Sequence, residues 1–469
     1  MDSILDGTLT DAAGAIRRRD ISALELVTGV LDRIERLQPR LNCFIRVEAE
    51  AALAAARAAD GAIARKDEIG PLHGVPLAHK DMFYRAGKPA TCGAEIRRNH
   101  VAETNSTALR RLDNAGAIYV GGLNMSEFAS SPTGHNDHFG HARNPWNPDH
   151  ITGGSSSGSG AATAARLAFG ALGSDTGGSV RLPATMCGVT GLKPTYGRVS
   201  RFGAMPLSWS MDHVGPLART AEDCALMMTI IAGEDPLDPT SSRRPVPDYR
   251  AALKNDLTGV RIGVPTSWFG DGVVAEVAAA TEAALGILKD LGAEVMEVDL
   301  PDMAICTGVG NVLTRVEAAT IHRRWLKSRP QDYGPIIRYR LEIGLTMPGT
   351  RYVEALNMRG PTLREFAATV FSKVDLLYTP TMPIRVPTLA DTEPTPQNLA
   401  YIANALTRCT RPINYLGLPA ISAPCGFDAN GLPIGFQLVA RPFAEARLLA
   451  AVHAYQQATD WHRYKPAMV

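Results

Sequence analysis

No stretch of the 469 residues approaches the roughly 18 consecutive apolar positions a membrane-spanning helix needs, so no membrane span is expected. Net charge is almost absent. Lys plus Arg number 48 against 47 Asp plus Glu, leaving +1, which excludes a bulk electrostatic grip on nucleic acid. The seven cysteines (43, 92, 187, 224, 306, 409 and 425) are scattered and include no CxxC pair. That pattern excludes a disulfide framework or a zinc ribbon and predicts free, mostly buried thiols in a reducing, cytoplasmic compartment. The first residues hold no basic patch followed by an apolar segment, so no secretory signal is expected. With 45% hydrophobic and 20% charged residues, the composition is that of an ordinary globular protein.

The first third reads as helical. Ser22 and Glu25 form a capping box ahead of Leu26, Val30, Leu31 and Ile34. Residues 48–65 are Ala-rich, and a helix near 106–115 precedes a short strand at 117–121. Ala161 to Phe169 reads as an apolar small-residue helix, and Thr220 with Asp223 caps another that runs to Ile231. The Pro-rich stretch Asp235 to Pro247 is the best linker candidate. Beyond it come strands at 260–264 and 295–298 around a helix near 273–291. Strands at 375–379, 420–423 and 434–439, and helices near 351–373 and 443–457, follow. This βαβ-like alternation with few linkers predicts one large α/β domain over 1–469.

Four chemistries compete for the Gly/Ser-rich run at 151–179. A P-loop needs a lysine after its glycines, and none is there. A dinucleotide fingerprint needs a preceding strand, whereas Asn144 to Asp149 are turn formers. A flexible linker would not lead straight into an apolar helix. Gly154-Ser155-Ser156-Ser157-Gly158 satisfies GxSxG formally, but the strand before a nucleophile elbow is missing. A constellation of two serines and a lysine fits better. Lys80 lies among apolar neighbours, whose burial would lower its pKa and free an amine to act as base. Ser179 follows Thr176-Gly177-Gly178, a loop able to turn N–H groups towards one point. Ser155 could relay a proton between the two.

The run Gly153–Gly160, continuing through Gly173-Ser174-Asp175-Thr176-Gly177-Gly178-Ser179-Val180-Arg181 and Cys187–Ser200, resembles the amidase signature family. So do Leu72–Pro76 with Lys80-Asp81, and Gly417–Ala420 with Leu432–Gly435. The resemblance implies a mixed twisted β-sheet flanked by helices on both faces, and a Ser–Ser–Lys triad of Lys80, Ser155 and Ser179. It implies an oxyanion hole of Thr176, Gly177, Gly178 and Ser179, and a cis peptide before Ser155. Ala129 and Ser130 would touch substrate, and Asp175 and Arg181 would pin the nucleophile loop. Ser157 stands where the family usually has glycine, a substitution that matters if the position needs positive φ. No metal or organic cofactor is implied, and a homodimer is the assembly the family suggests.

The family holds free-standing amidases and the glutamine-hydrolysing A subunit of glutamyl-tRNA(Gln) amidotransferase. That subunit carries an aspartate seven residues before the Asn of a TxPxN motif, to read an ammonium. Here the motif is Thr410-Arg411-Pro412-Ile413-Asn414, and position 407 is Thr. Without that charge partner and with Arg411 nearby, the expectation is hydrolysis of a small amide, carbamate or ureide. The alternative is the glutamine-hydrolysing component of the amidotransferase. An intact triad argues against an inactive binding scaffold. Direct nucleic-acid or membrane contact is not expected. His135, His138 and His141, three apart, invite a metal reading, but they sit in a loop without a chelate signature, and loop hydrogen bonding is expected instead. Trp209 fits either core or pocket wall. For specificity, His322, Trp325, Tyr333, Arg338, Tyr339 and Tyr352 are the candidates.

Overall fold

In the computed structural model, which describes residues 2–469, one sheet of eleven strands runs through the molecule. The strands are Phe44–Val47 (β1), Pro76–Lys80 (β2), Ile118–Leu123 (β3), Gly170–Asp175 (β4), Thr190–Lys193 (β5) and His213–Ala218 (β6). Arg261–Pro265 (β7), Glu294–Val298 (β8), Leu376–Pro380 (β9), Ala420–Phe427 (β10) and Pro433–Ala440 (β11) complete it. Their order is β1-β3-β2-β4-β6-β5-β10-β11-β9-β7-β8. β2 runs parallel to β3 and β4, and β7 to β8 and β9, while the central strands β6, β5, β10 and β11 pair antiparallel. The sheet is therefore mixed, flanked by helices, as the sequence predicts. Among the described residues no helix is long and apolar enough to cross a membrane.

The helices follow their local signals. Ser22 and Glu25 close the expected capping box on the Ala23–Leu41 helix, and Thr220 accepts from the Asp223 N–H at the start of Ala221–Ile231. One boundary moves. The helix expected over 161–169 spans Ser157–Ala164, since Arg166 turns back at φ 60° and Leu167 to Phe169 are apolar because the core encloses them. That short helix is wholly buried, and a Cβ added to Gly158 would sit 2.3 Å from the Cys43 carbonyl. Its glycines and serines thus serve close backbone packing rather than flexibility. Ser157 is its first helical residue, so the position does not need positive φ.

The expected linker is strapped down. Asp235 accepts from Ser200, Asp238 from the Arg201 N–H, and Arg198 donates to the carbonyls of Arg244 and Pro245. Proline content marked irregular backbone there, but buried polar anchors hold it on the core. The 26-residue helix Met303–Ser328 and its neighbour Pro335–Thr346 have no strong periodic signal in the sequence, and both border the site.

Candidate active site

Lys80 ends β2, and Ser174 and Asp175 end β4. The two strands run parallel with Ala78 opposite Ala171, so their carboxyl ends share one edge, the usual place for a site in such sheets. There Lys80 Nζ lies 2.7 Å from Ser155 Oγ and 2.8 Å from Ser174 Oγ. The Gly154–Ser155 peptide is cis. Lys80 and Ser155 are enclosed, whereas Ser179, at 9% exposure, reaches a small cavity open to solvent. Burial pulls the Lys80 pKa down to about 7, against the opposing pull of Asp212 and Asp175. The side chain is therefore able to present a neutral amine near neutral pH.

The loop after β4 is shaped by one carboxylate. Asp175 Oδ1 accepts from the Gly178 N–H (2.8 Å), and Oδ2 accepts from the Val180 N–H (3.1 Å). Arg181, fully buried, donates to both oxygens at 3.0 Å. Gly178 adopts φ +131°, and a Cβ there would lie 2.4 Å from Thr410 Oγ1, so only glycine fits. This geometry narrows the expected oxyanion hole. The Gly178 N–H faces Asp175, which leaves the N–H groups of Thr176, Gly177 and Ser179 without a protein acceptor among the described residues. Thr176 Oγ1 donates to Asp212 Oδ1 at 2.6 Å, anchoring the other end of the loop.

A family model described as Amidase matches residues 25–449. The chain belongs to the amidase family. The A subunit of the Moorella thermoacetica glutamyl-tRNA(Gln) amidotransferase is 42% identical over 98% of both chains. Among solved structures, a protein from a vestigial complex that bears on the origins of an s-triazine catabolic enzyme superposes with a TM-score of 0.91. It is 36% identical over 96% of this chain and 98% of its own. The A subunit of the Thermotoga maritima glutamyl-tRNA(Gln) amidotransferase gives 0.81 at 31% identity, over 97% and 95%. Like its family, this chain is an amide-hydrolysing enzyme.

The amidase cavity is lined by Ser179, Thr176 and Gly177 together with Ala129 and Ser130. Ala129 and the preceding Phe128 both have positive φ (59° and 47°). The candidates drawn from the later helices lie elsewhere. His322, Trp325 and Tyr333 pack around the Phe128 ring behind the loop, and Tyr352 donates to Glu317. Neither Arg338 nor Tyr339 lines the cavity; Arg340, which sequence reasoning passed over, does. Ser174 and Asp212 were missed too. Their signal was only adjacency to motif residues, since nothing in a linear sequence shows which way a strand-end side chain points. Trp209 is half-exposed at a second cavity of about 360 Å³ beside Asp212.

His135, His141 and Glu393 place ligand-type atoms within 4.8 Å of one another. Their hydrogen bonds suit a loop better than a metal. The Asn136 N–H donates to His141 Nδ1 (3.0 Å), and His135 Nε2 lies 3.0 Å from Thr392 Oγ1. His141 Nδ1 is thus already engaged as an acceptor within the loop. His138 pairs with Glu127 at 3.2 Å. All seven cysteines are buried, and burial raises the Cys187 thiol far above its ordinary pKa, which leaves it a packing residue.

Proposed function

We propose that the chain hydrolyses the amide of a small molecule through an acyl-enzyme on Ser179. The observation that carries this reading is the buried Lys80–Ser155 contact beneath the cavity that Ser179 lines. Neutral Lys80 keeps one N–H for Ser174 and turns its lone pair to the Ser155 hydroxyl. Ser155 passes a proton from Ser179 to Lys80 as the Ser179 oxygen attacks the carbonyl. The N–H groups of Thr176, Gly177 and Ser179 hold the oxyanion, each such donor supporting about 3 kcal/mol of transition-state stabilisation. The proton returns through Ser155 to the leaving nitrogen, and water then releases the acid. A fluorophosphonate probe is expected to label Ser179 in the folded protein; peptide mass spectrometry that finds no adduct there overturns the reading.

The pH profile gives a second test. A base must be neutral to accept a proton, so kcat/KM on an uncharged amide should rise tenfold per pH unit below about 7 and level off above it. A profile with no rising limb between pH 5 and pH 9 would count against a titrating lysine base at this depth.

A second reading is the glutamine-hydrolysing A subunit of a glutamyl-tRNA(Gln) amidotransferase. Curated relatives with that name, 39–42% identical over nearly the whole chain, favour it over a free-standing amidase. The cavity favours the first reading, because Thr407 and Arg411 line it and no carboxylate does, so a glutamine ammonium would meet no counter-charge. Ammonia release from glutamine faster than from simple amides would decide for the amidotransferase reading.

A further inference from the structure

The cavity beside Ser179 has no Asp or Glu in its lining, and its charged side chains are Arg340 and Arg411. Neither guanidinium forms a salt bridge among the described residues. Arg411 is 8% exposed and donates from Nη1 to Asn311 Oδ1 (2.7 Å), a neutral acceptor. Arg340 Nη1 is buried with no partner. Burial lowers both pKa values, Arg411 to about 9 with repulsion from Arg340 and Arg315 adding to it, and Arg340 to about 10 with repulsion from Arg315 adding to it. A buried guanidinium beside a second, partly buried one, with no acid between them, is costly unless an anion joins them.

Their position makes that cost useful for recognition. A Cβ on Gly177 would lie 3.3 Å from Arg411 Nε, so this guanidinium leans on the nucleophile loop itself. Thr410 Oγ1, one residue earlier, donates to the Gly177 carbonyl at 2.7 Å and fixes the approach. An anionic group held by Arg411 and Arg340 therefore lies within one small molecule's length of the Ser179 oxygen.

We infer that the substrate is a half-amide: a small molecule with a carboxylate at one end, the scissile amide at the other, and no ammonium group. The inference rests on the acyl-enzyme reading above and specifies its substrate. Guanidinium forks match a carboxylate bidentately, and two of them accept both of its oxygens or a second carboxylate on a branched substrate. Hydrolysis would release ammonia and a dicarboxylate, and the dicarboxylate should also bind as product.

The test pairs turnover with binding. Malonamate, succinamate and glutaramate are compared with uncharged butyramide and with glutamine. For the best half-amide, kcat/KM is expected to exceed that of butyramide by about a hundredfold, the scale of a charge-assisted hydrogen bond or two. Arg411→Met and Arg340→Met should each shrink that ratio, mainly through KM, and Arg411→Lys should restore part of it. Separately, titration calorimetry on Ser179→Ala should show malonate, succinate or glutarate binding, weakened by salt and by adding Arg411→Met. Equal turnover of butyramide and every half-amide, or a preference for glutamine, overturns the inference while leaving the acyl-enzyme intact. Dicarboxylate binding to Ser179→Ala without hydrolysis of any amide by the parent protein would uphold the anion site and sink the acyl-enzyme reading instead.

Discussion

Replacing Lys80 by alanine is expected to lower kcat by about a thousandfold or more, within the range a positioned acid–base group contributes. The amine is the terminal proton acceptor of the proposed relay, and both of its oxygen neighbours, Ser155 and Ser174, are hydroxyls that cannot take its place at neutral pH. KM should change little, because Lys80 is enclosed and lies outside the substrate cavity. Removing Ser155 as well should add little to the loss, since residues acting as one unit are not additive. Steady-state kinetics on Lys80→Ala, Ser155→Ala and the double variant check this. Near-normal turnover in Lys80→Ala would show that the buried amine is architecture rather than base. Arginine at 80 should not rescue activity, because guanidinium stays protonated.

Arg181→Ala should have the largest effect on stability, about 3–5 kcal/mol, the usual result of removing one partner of a buried ion pair. The guanidinium is fully buried and donates to Asp175, the Gln437 and Asn414 side chains and the Thr410 carbonyl. Its removal leaves the Asp175 carboxylate in the interior with only neutral donors from Gly178, Val180 and Asn414. The sign with pH follows. Burial alone pushes the Asp175 pKa up, and Arg181 more than offsets this, holding it well below the usual carboxylate range. The pair's stabilisation is then present above the unfolded value near 4 and lost in stronger acid. In Arg181→Ala the strongest opposing pull is gone and only Lys193, Asn414 and the loop N–H groups still oppose burial, so the folded carboxyl's pKa rises and the stabilisation present above pH 4 shrinks. The gap between parent and variant should therefore widen as pH rises from about 3 through the carboxylate range and level off above it, read by urea unfolding. A gap independent of pH would mean that lost packing, not charge, accounts for the change. Asp175→Asn with Arg181→Met should recover much of the stability but not the activity, because the neutral amide grips the Gly178 and Val180 N–H groups less firmly.

Some parts of this molecule are legible in its sequence because the physical cause is local. A capping box is closed by residues three apart, so Ser22 with Glu25 was readable. The strands β7, β8, β10 and β11 announce themselves through short β-branched or apolar runs. Lys80, Ser155 and Ser179 were named by motif. What motif could not supply is what sets Lys80 beside Ser174, namely that β2 and β4 lie side by side and parallel, with their ends at one edge. The Asp235–Pro247 stretch misled for the converse reason. Its prolines describe local backbone, whereas its rigidity comes from Arg198 and Ser200, tens of residues away.

The substrate end of the site shows the same division more sharply. Position 407 could be read as threonine and Arg411 as an added charge from sequence alone. Arg340, 71 residues before Arg411, carried no signal, and the six specificity candidates read from sequence went to an aromatic cluster, a helix surface or other contacts. The sequence by itself determined the family, the mixed α/β fold and the three residues of the proposed triad, because each is written in contiguous motifs and short periodic patterns. The tertiary structure alone decided that Ser174 shares the lysine, that Gly178 gives its N–H to Asp175, and that two arginines without an acid face the nucleophile. Those are matters of which side chains meet across the fold, and desolvation and charge pairing act through that meeting rather than through distance along the chain.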